Sequence, residues 1–154
     1  MPTTLQNFFA DAAQEAATDL ETAFLRLPED KRNWVPDEKS RSAIDQVAEC
    51  AMLNGYTVGM LTTRVWPPNY DFQEYLREKA ELAKDWSAVK ALLDENTMKV
   101  AAAIHEVPDG DLDIQIQMPW GPMALSKIIA YPYWNMTYHQ GQINYIASML
   151  GCLE

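Results

Sequence analysis

Three polar residues interrupt the apolar stripe of the last predicted helix. Asn135 and His139 lie four residues apart, so their side chains point to the same side of a helix. Gln142 continues this polar line three residues later. A buried polar group without a hydrogen-bond partner costs about 1–3 kcal/mol, so these side chains need partners on another helix. They form either a polar seam that fixes the register of the helices or part of a ligand site.

Glu49, on an earlier predicted helix, is the candidate partner of His139. Apolar or aromatic residues follow it at helical spacings of three, four and seven, namely Met52, Leu53 and Tyr56. Burial on that face raises the pKa of a carboxylate, whereas a nearby cation or metal lowers it. Facing carboxylates and histidines build ligand sites in helical bundles, so Glu49 and His139 are the candidate catalytic residues. The alternative is a Glu49 that is exposed beside an apolar patch.

The remaining histidine and the cysteines are less promising. The chain has two histidines, so a three-histidine metal site cannot form within one chain. His105 ends a predicted helix, where it complements the helix dipole. Cys50 and Cys152 are far apart and predict no disulfide framework, and Cys50 is expected to be a buried, inert thiol. The common nucleotide-binding, hydrolase and zinc-protease motifs are missing from the sequence.

Length and composition predict one acidic domain over residues 1–154. Hydrophobic residues make up 48% and charged residues 22% of the 154 positions, which suits a chain that buries a core. The formal net charge of -10 disfavours nucleic acid and anionic membranes as partners. The densest basic stretch, Lys39-Ser40-Arg41, lies near acidic residues and is interpreted as a solvated loop. With no visible signal peptide and no apolar run near 20 residues, we expect a cytoplasmic protein.

Apolar periodicity predicts four helices joined by long connections. They are expected over residues 3–26, 42–64, 71–105 and 122–150. Ser42 is the predicted N-cap of the second helix, and the third is expected to break near Asp85. Pro122 should lie in the first turn of the fourth helix, Pro132 should kink it, and Gly151 should close it.

Residues 112–118 alternate strictly between apolar and polar, which is typical of a strand. The sequence shows no partner strand, so a short extended segment lying over the helices is expected. The fold class that follows is an all-α four-helix bundle.

Aromatic residues crowd the fourth helix. They are Tyr131, Tyr133, Trp134, Tyr138 and Tyr145. One small core cannot bury them all, so a second apolar face is expected, which favours a homodimer through a helix–helix contact.

The segment from Tyr138 to Ile143, followed by Leu150-Gly151, resembles the H-x-G-Q-I…L-G signature of the DinB/YfiT-like superfamily. Leu27-Pro28, and Trp34-Val35-Pro36 ahead of Ser42, extend the resemblance over nearly the whole chain. It implies a four-helix bundle of up-down-down-up type that is usually dimeric.

The resemblance also implies a candidate metal site. Typical members bind a divalent metal such as nickel or zinc through three histidines, one from helix two and two from helix four. In this chain His139 matches the last ligand, while Asn135 and Glu49 stand where the other two histidines would be. Glutamate is a competent ligand, but an asparagine oxygen is a weak one for zinc or nickel. The resemblance therefore implies either a metal site of Glu49, Asn135 and His139 with altered preference, or a site that has lost its metal.

Three functions remain open at this point. The first is a metal-dependent hydrolase or a transferase that uses a low-molecular-weight thiol, as some relatives do, with a metal-bound water as nucleophile or base. The second is a metal-free protein that binds a small molecule, in which Glu49 and His139 form an ionic pair and Glu49 is a general base. The third is a structural bundle whose polar seam only sets the register.

Overall fold

Five α-helices and one β-hairpin form the part of the chain that the computed structural model describes, residues 3–154. The helices are α1 (Leu5–Leu25), α2 (Ala43–Thr63), α3 (Phe72–Leu82), α4 (Trp86–His105) and α5 (Leu125–Met149). The strands are β1 (Gln115–Met118) and β2 (Gly121–Ala124), which lie between α4 and α5. Over these residues no helix is long and apolar enough to cross a membrane.

The four long helices form the bundle, and α3 packs beside α2 and α4. α1 and α2 each pack against both α4 and α5 but contact each other little. They therefore occupy diagonally opposite positions in the bundle. The long connection between them, which spans residues 26–42, crosses the bundle. The predicted all-α four-helix bundle is confirmed.

The core is divided into two apolar clusters along the bundle. One includes Phe24, Val47 and Leu93, and the other includes Ile104 and Leu125. On α2, α4 and α5, buried polar residues lie between the segments that build the two clusters; these residues are Asn54, Thr57, Thr97 and Asn135. The amide of Asn54 donates a hydrogen bond to Thr97 Oγ1 at 3.2 Å, so this polar layer joins α2 to α4.

Local capping sets the ends of several helices where the sequence predicted them. Ser42 Oγ accepts a hydrogen bond from the Asp45 N–H at the start of α2. Asp85 caps α4 by accepting from the Ser87 N–H, which confirms the break in the third predicted helix. Gly151, at φ +69°, follows α5, and the Cys152 N–H returns to the Ala147 carbonyl at 2.8 Å. α5 continues through Pro132, and the kink there stays a prediction.

The β-hairpin corrects the predicted start of the last helix. β1 lies inside the predicted extended segment, and its antiparallel partner is β2. The pairing runs from Met118 opposite Gly121, next to the turn, to Gln115 opposite Ala124. The predicted helix start at 122 is therefore wrong, since Pro122 lies in β2 and the helix begins at Leu125. A two-residue connection returns the chain at Gly121, whose φ of +127° is a conformation that glycine adopts readily. Burial of Ile116 and Met118 holds the hairpin on the bundle.

Two glycines on one face of α2 give a matched test of helix packing. A Cβ at Gly55 would stand 2.7 Å from Asn96 Nδ2, the atom that donates to the Ala51 carbonyl, whereas a Cβ at Gly59 meets nothing within 4 Å. We predict that Gly59→Ala raises the free energy of unfolding by about 1 kcal/mol through helix propensity. Gly55→Ala should be about 1 kcal/mol less stable than Gly59→Ala, because it displaces the Asn96 hydrogen bond. Urea unfolding of both variants measures the difference, and equal stabilities would contradict the close approach.

Candidate functional site

Glu49 and His139 meet inside the bundle. Glu49 Oε1 on α2 lies 2.9 Å from His139 Nε2 on α5. The His139 side chain is 3% exposed and that of Glu49 is 17% exposed. The structure thus brings the two candidate catalytic residues into direct contact.

Side chains of the protein engage both ring nitrogens of His139. Nδ1 lies 2.8 Å from Gln46 Oε1 and 3.2 Å from Gln142 Oε1. The Gln46 amide is oriented by its Nε2, which donates to the Arg41 carbonyl at 3.4 Å, so its oxygen faces the ring. Nε2 faces the Glu49 carboxylate, which only accepts hydrogen bonds when ionised. The network therefore assigns a proton to Nε2, which donates it in a hydrogen bond to the Glu49 carboxylate.

The second carboxylate oxygen of Glu49 is bound by protein cations. Arg41 Nη2 lies 2.7 Å from Glu49 Oε2, and Lys79 Nζ lies 3.9 Å from it. Asp45, one turn before Glu49 on α2, pairs with both cations: its carboxylate is 2.6 Å from Arg41 Nε and 3.1 Å from Lys79 Nζ. One charge network therefore joins Arg41, which precedes the N-cap of α2, to Asp45 in the first turn of α2 and to the buried Lys79 of α3.

These partners lower the pKa of Glu49 from 4.5 to about 2. Burial alone raises the pKa of this carboxylate, but the hydrogen bond from His139 and the charge of Arg41 outweigh burial. Glu49 therefore stays ionised at neutral pH and is a poor proton acceptor there.

Asn135 is turned away from the Glu49–His139 contact and toward Cys50. Its Nδ2 lies 3.7 Å from Cys50 Sγ, and both side chains are buried. Burial raises the pKa of the Cys50 thiol well above its ordinary value, as expected for an inert cysteine. His105, the other histidine, lies at the exposed end of α4, where its Nδ1 is 3.0 Å from Asn7 Oδ1, and takes no part in the site.

The predicted metal ligands, in this arrangement, do not fit a divalent ion. Two ligands of one zinc ion, each about 2.0–2.1 Å from it in tetrahedral geometry, stand about 3.3 Å apart, whereas Glu49 Oε1 and His139 Nε2 share a hydrogen bond at 2.9 Å. The other Glu49 oxygen is bound by Arg41, and Asn135 presents its amide nitrogen to Cys50. Across residues 3–154, no group of three or more His, Cys, Asp or Glu side chains is placed to hold a metal. Arg41 and Lys79 supply positive charge at the carboxylate instead.

A cavity of about 460 Å³ opens beside Glu49. Seven aromatic side chains line it, namely Tyr56, Trp66, Tyr70, Phe72, Tyr75, Trp120 and Tyr131. Three methionines complete much of the wall, namely Met60, Met118 and Met123, and within residues 3–154 Glu49 is its single charged lining residue. We call this cavity the aromatic pocket.

The wall of the aromatic pocket is built from elements far apart in the sequence. Trp66, from the α2–α3 connection, meets Trp120, from the hairpin turn, with ring centroids 5.5 Å apart. The ring centroids of Tyr56 on α2 and Tyr75 on α3 are 6.2 Å apart. Burial, helped by the charge of Glu49, raises the pKa of Tyr131 to about 12, so its hydroxyl stays protonated.

Sequence reasoning missed the cations and most of the pocket. Arg41 was assigned to a solvated loop, but it stands directly before the Ser42 N-cap and reaches Asp45 and Glu49. The spacing of Arg41, Asp45 and Glu49, four residues apart each time, was the signal available in the sequence. Tyr131, grouped with surface aromatics of the last helix, lines the pocket instead.

The sequence matches no family model and no curated protein. The fold, however, matches solved structures. YfiT from Bacillus subtilis, described as a probable metal-dependent hydrolase with an unusual four-helix bundle topology, superposes with a TM-score of 0.79 at 14% identity, over 95% of this chain and 87% of its own.

Two further structures share the fold. A DinB-like protein from Bacillus subtilis has a TM-score of 0.69 at 13% identity, over 96% of this chain and 95% of its own. A mycothiol-dependent maleylpyruvate isomerase has a TM-score of 0.70 at 12% identity, over 92% of this chain and 63% of its own. The fold implied by the sequence resemblance, the DinB-like four-helix bundle, is confirmed.

The lowered pKa of Glu49 makes the free energy of unfolding depend on pH in the acidic range. Because the folded-state pKa of about 2 lies below the unfolded value near 4.5, the contribution of Glu49 is fully present above pH 4.5 and is lost as the pH falls toward 2. We predict that wild type loses on the order of 3 kcal/mol more unfolding free energy over this range than Glu49→Gln, which cannot titrate. Urea unfolding at a series of pH values measures both curves. If the unfolding free energies of wild type and Glu49→Gln fall in parallel as the pH is lowered, His139 and Arg41 do not lower the pKa of Glu49.

Proposed function

We propose that this protein binds a small molecule in the aromatic pocket and that its own cations, rather than a metal ion, hold the polar end of that pocket. The observation that carries the proposal is the Glu49 carboxylate, which lines the cavity and is fixed from behind by His139 and Arg41. A largely apolar cavity of this size with a placed charged group is typical of small-molecule sites.

The charge network favours binding over proton transfer. Glu49, with a pKa of about 2, is a weak base at neutral pH. Both ring nitrogens of His139 are engaged by protein oxygens. A proton could move to or from a ligand through either residue only after this network breaks, so the two side chains act as a fixed polar contact.

A second candidate is a metal-dependent hydrolase or thiol transferase, as the sequence resemblance implies. It is favoured by the fold shared with a probable metal-dependent hydrolase and with a mycothiol-dependent isomerase. In that case nickel or zinc would bind Glu49, Asn135 and His139, with a low-molecular-weight thiol as co-substrate, and Glu49 and His139 would be catalytic. Such a site requires Arg41 to leave Glu49 and Asn135 to turn from Cys50.

A neutral fluorescent dye separates the two candidates. We predict that N-phenyl-1-naphthylamine binds at one site per chain, equally well with EDTA or with added zinc. Trp120→Ala should weaken binding at least fivefold, because it removes an aromatic wall of the pocket.

Trp134→Ala is the matched control, since Trp134 is an exposed tryptophan outside the pocket. Dye binding that requires zinc, or that both variants weaken equally, would contradict the metal-free pocket.

We also propose that the outer face of α5 forms a homodimer contact. Trp134 and Tyr138 stack on this face with centroids 5.5 Å apart, and they are 55% and 51% exposed. Burial of such rings against a second copy removes apolar area from water.

Sedimentation equilibrium tests the dimer. Wild type should be dimeric at micromolar concentrations, and Trp134→Ala should raise the dimer dissociation constant about tenfold or more by removing an aromatic anchor. Trp120→Ala, in the pocket wall, should leave the constant unchanged. A monomeric wild type, or an effect of Trp120→Ala as large as that of Trp134→Ala, would contradict this interface.

A further inference from the structure

We infer that the ligand of the aromatic pocket is an uncharged, ring-bearing molecule that donates a hydrogen bond to Glu49. The inference rests on the proposed binding function and names the class of molecule that the pocket selects. It follows from three features of the pocket: its charge, its hydrogen-bonding capacity and the character of its walls.

Charge disfavours a cationic ligand. The Glu49 carboxylate already lies within 4 Å of Arg41, Lys79 and the His139 ring. Asp45 pairs with the same two cations, so the charges of Glu49, Asp45, Arg41 and Lys79 sum to zero. A ligand ammonium group at Glu49 would therefore meet a carboxylate whose charge is already neutralised.

The acidic side chains nearest the pocket do not change this balance. Asp71, Glu74 and Glu78 are exposed and line a separate surface depression behind the ring wall of Tyr56, Tyr70 and Tyr75. Water screens charges in that position.

Charge also disfavours an anionic ligand. The single charged group that lines the pocket is the Glu49 carboxylate, which repels an anion. Arg41 does not line the pocket; with Gln46 and Gln142 it lines a separate, shallower groove. An anion in the pocket would therefore be desolvated without meeting a cation, which is costly.

Glu49 can accept one more hydrogen bond from the pocket side. An ionised carboxylate has about four acceptor positions, and His139 Nε2 and Arg41 Nη2 occupy one on each oxygen. Thr57, another polar lining residue, already donates its hydroxyl to the Leu53 carbonyl at 2.8 Å. Glu49 is therefore the charged acceptor that a ligand O–H or N–H can reach.

The walls select a flat, polarisable ligand. Aromatic rings favour stacked or edge-to-face contacts with another ring, and methionine sulfur adapts to aromatic faces. The cavity of about 460 Å³ lies in the size range of small-molecule sites. Two fused rings with a small substituent fit this space.

Four naphthalenes with one ring system test the inference by isothermal titration calorimetry on the unchanged protein at pH 7. They are 2-naphthol, 2-methoxynaphthalene, 2-naphthoate and 2-naphthylmethylammonium. We expect 2-naphthol to bind tightest and the methyl ether, which cannot donate, to bind about tenfold or more weakly, as for a lost hydrogen bond to a charged group. Both ions should also bind at least tenfold more weakly than 2-naphthol.

Two variants assign the preference to Glu49. Glu49→Gln should reduce the ratio of the affinity for 2-naphthol to the affinity for 2-methoxynaphthalene to about threefold or less. The reason is that a neutral amide is a weaker hydrogen-bond acceptor than a carboxylate. Thr62→Val, an exposed position of α2 outside the pocket lining, should leave the ratio unchanged. The four-ligand comparison on the unchanged protein stands even if Glu49→Gln does not fold.

The outcomes separate this inference from the proposed function. Equal binding of 2-naphthol and its ether, or an ion that binds as tightly as 2-naphthol, would overturn the ligand class and leave a binding pocket in place. If N-phenyl-1-naphthylamine binds but none of the four naphthalenes does, the ligand class is likewise overturned and the binding pocket remains. Failure of the dye and of all four naphthalenes would overturn the proposed function itself.

Discussion

The buried carboxylate of Glu49 is the constraint on which the site depends. An ionised group removed from water must be paired and hydrogen-bonded, and here each oxygen has its own donor, His139 on α5 and Arg41 just before the N-cap of α2. Asp45 then ties Arg41 to Lys79 of α3. One carboxylate thereby fixes how three helices meet around the pocket. Buried ion pairs contribute little net stability when their desolvation is counted, so the main effect of this network is to fix geometry.

The groups that hold the Glu49 carboxylate decide which chemistry the bundle can carry. A fold does not by itself specify a function, which resides in the residues of the site. In this chain the Arg41 guanidinium and the His139 ring engage Glu49, and Asn135 bonds to Cys50. Under the proposed function, the end of the pocket recognises a hydrogen-bond donor. The aromatic walls, which come from the α2–α3 connection, α3, the hairpin turn and the long helices, supply most of the contact area.

The sequence predicted what depends on local spacing and missed what depends on tertiary contact. Helical periodicity placed Glu49 and His139 on facing sides, and the caps Ser42 and Asp85 are read from neighbouring residues. The second strand was missed because its pairing depends on a positive φ at Gly121 and on burial against the bundle. Arg41 looks like a solvated charge because it lies before the predicted helix, and its four-residue spacing to Asp45 does not report that it also reaches Glu49. The pocket wall escaped notice because its rings are brought together only by the fold.

Nitrogen NMR of the imidazole rings in ¹⁵N-labelled protein tests the central claim most directly. The chain has two histidines, and the exposed His105 is an internal reference for His139. The contact with Glu49 predicts that Nε2 of His139 carries a proton at pH 7 and that stoichiometric zinc leaves its chemical shift unchanged. A His139 Nε2 that carries no proton, and whose shift moves when one equivalent of zinc is added, would contradict the account and favour a metal site.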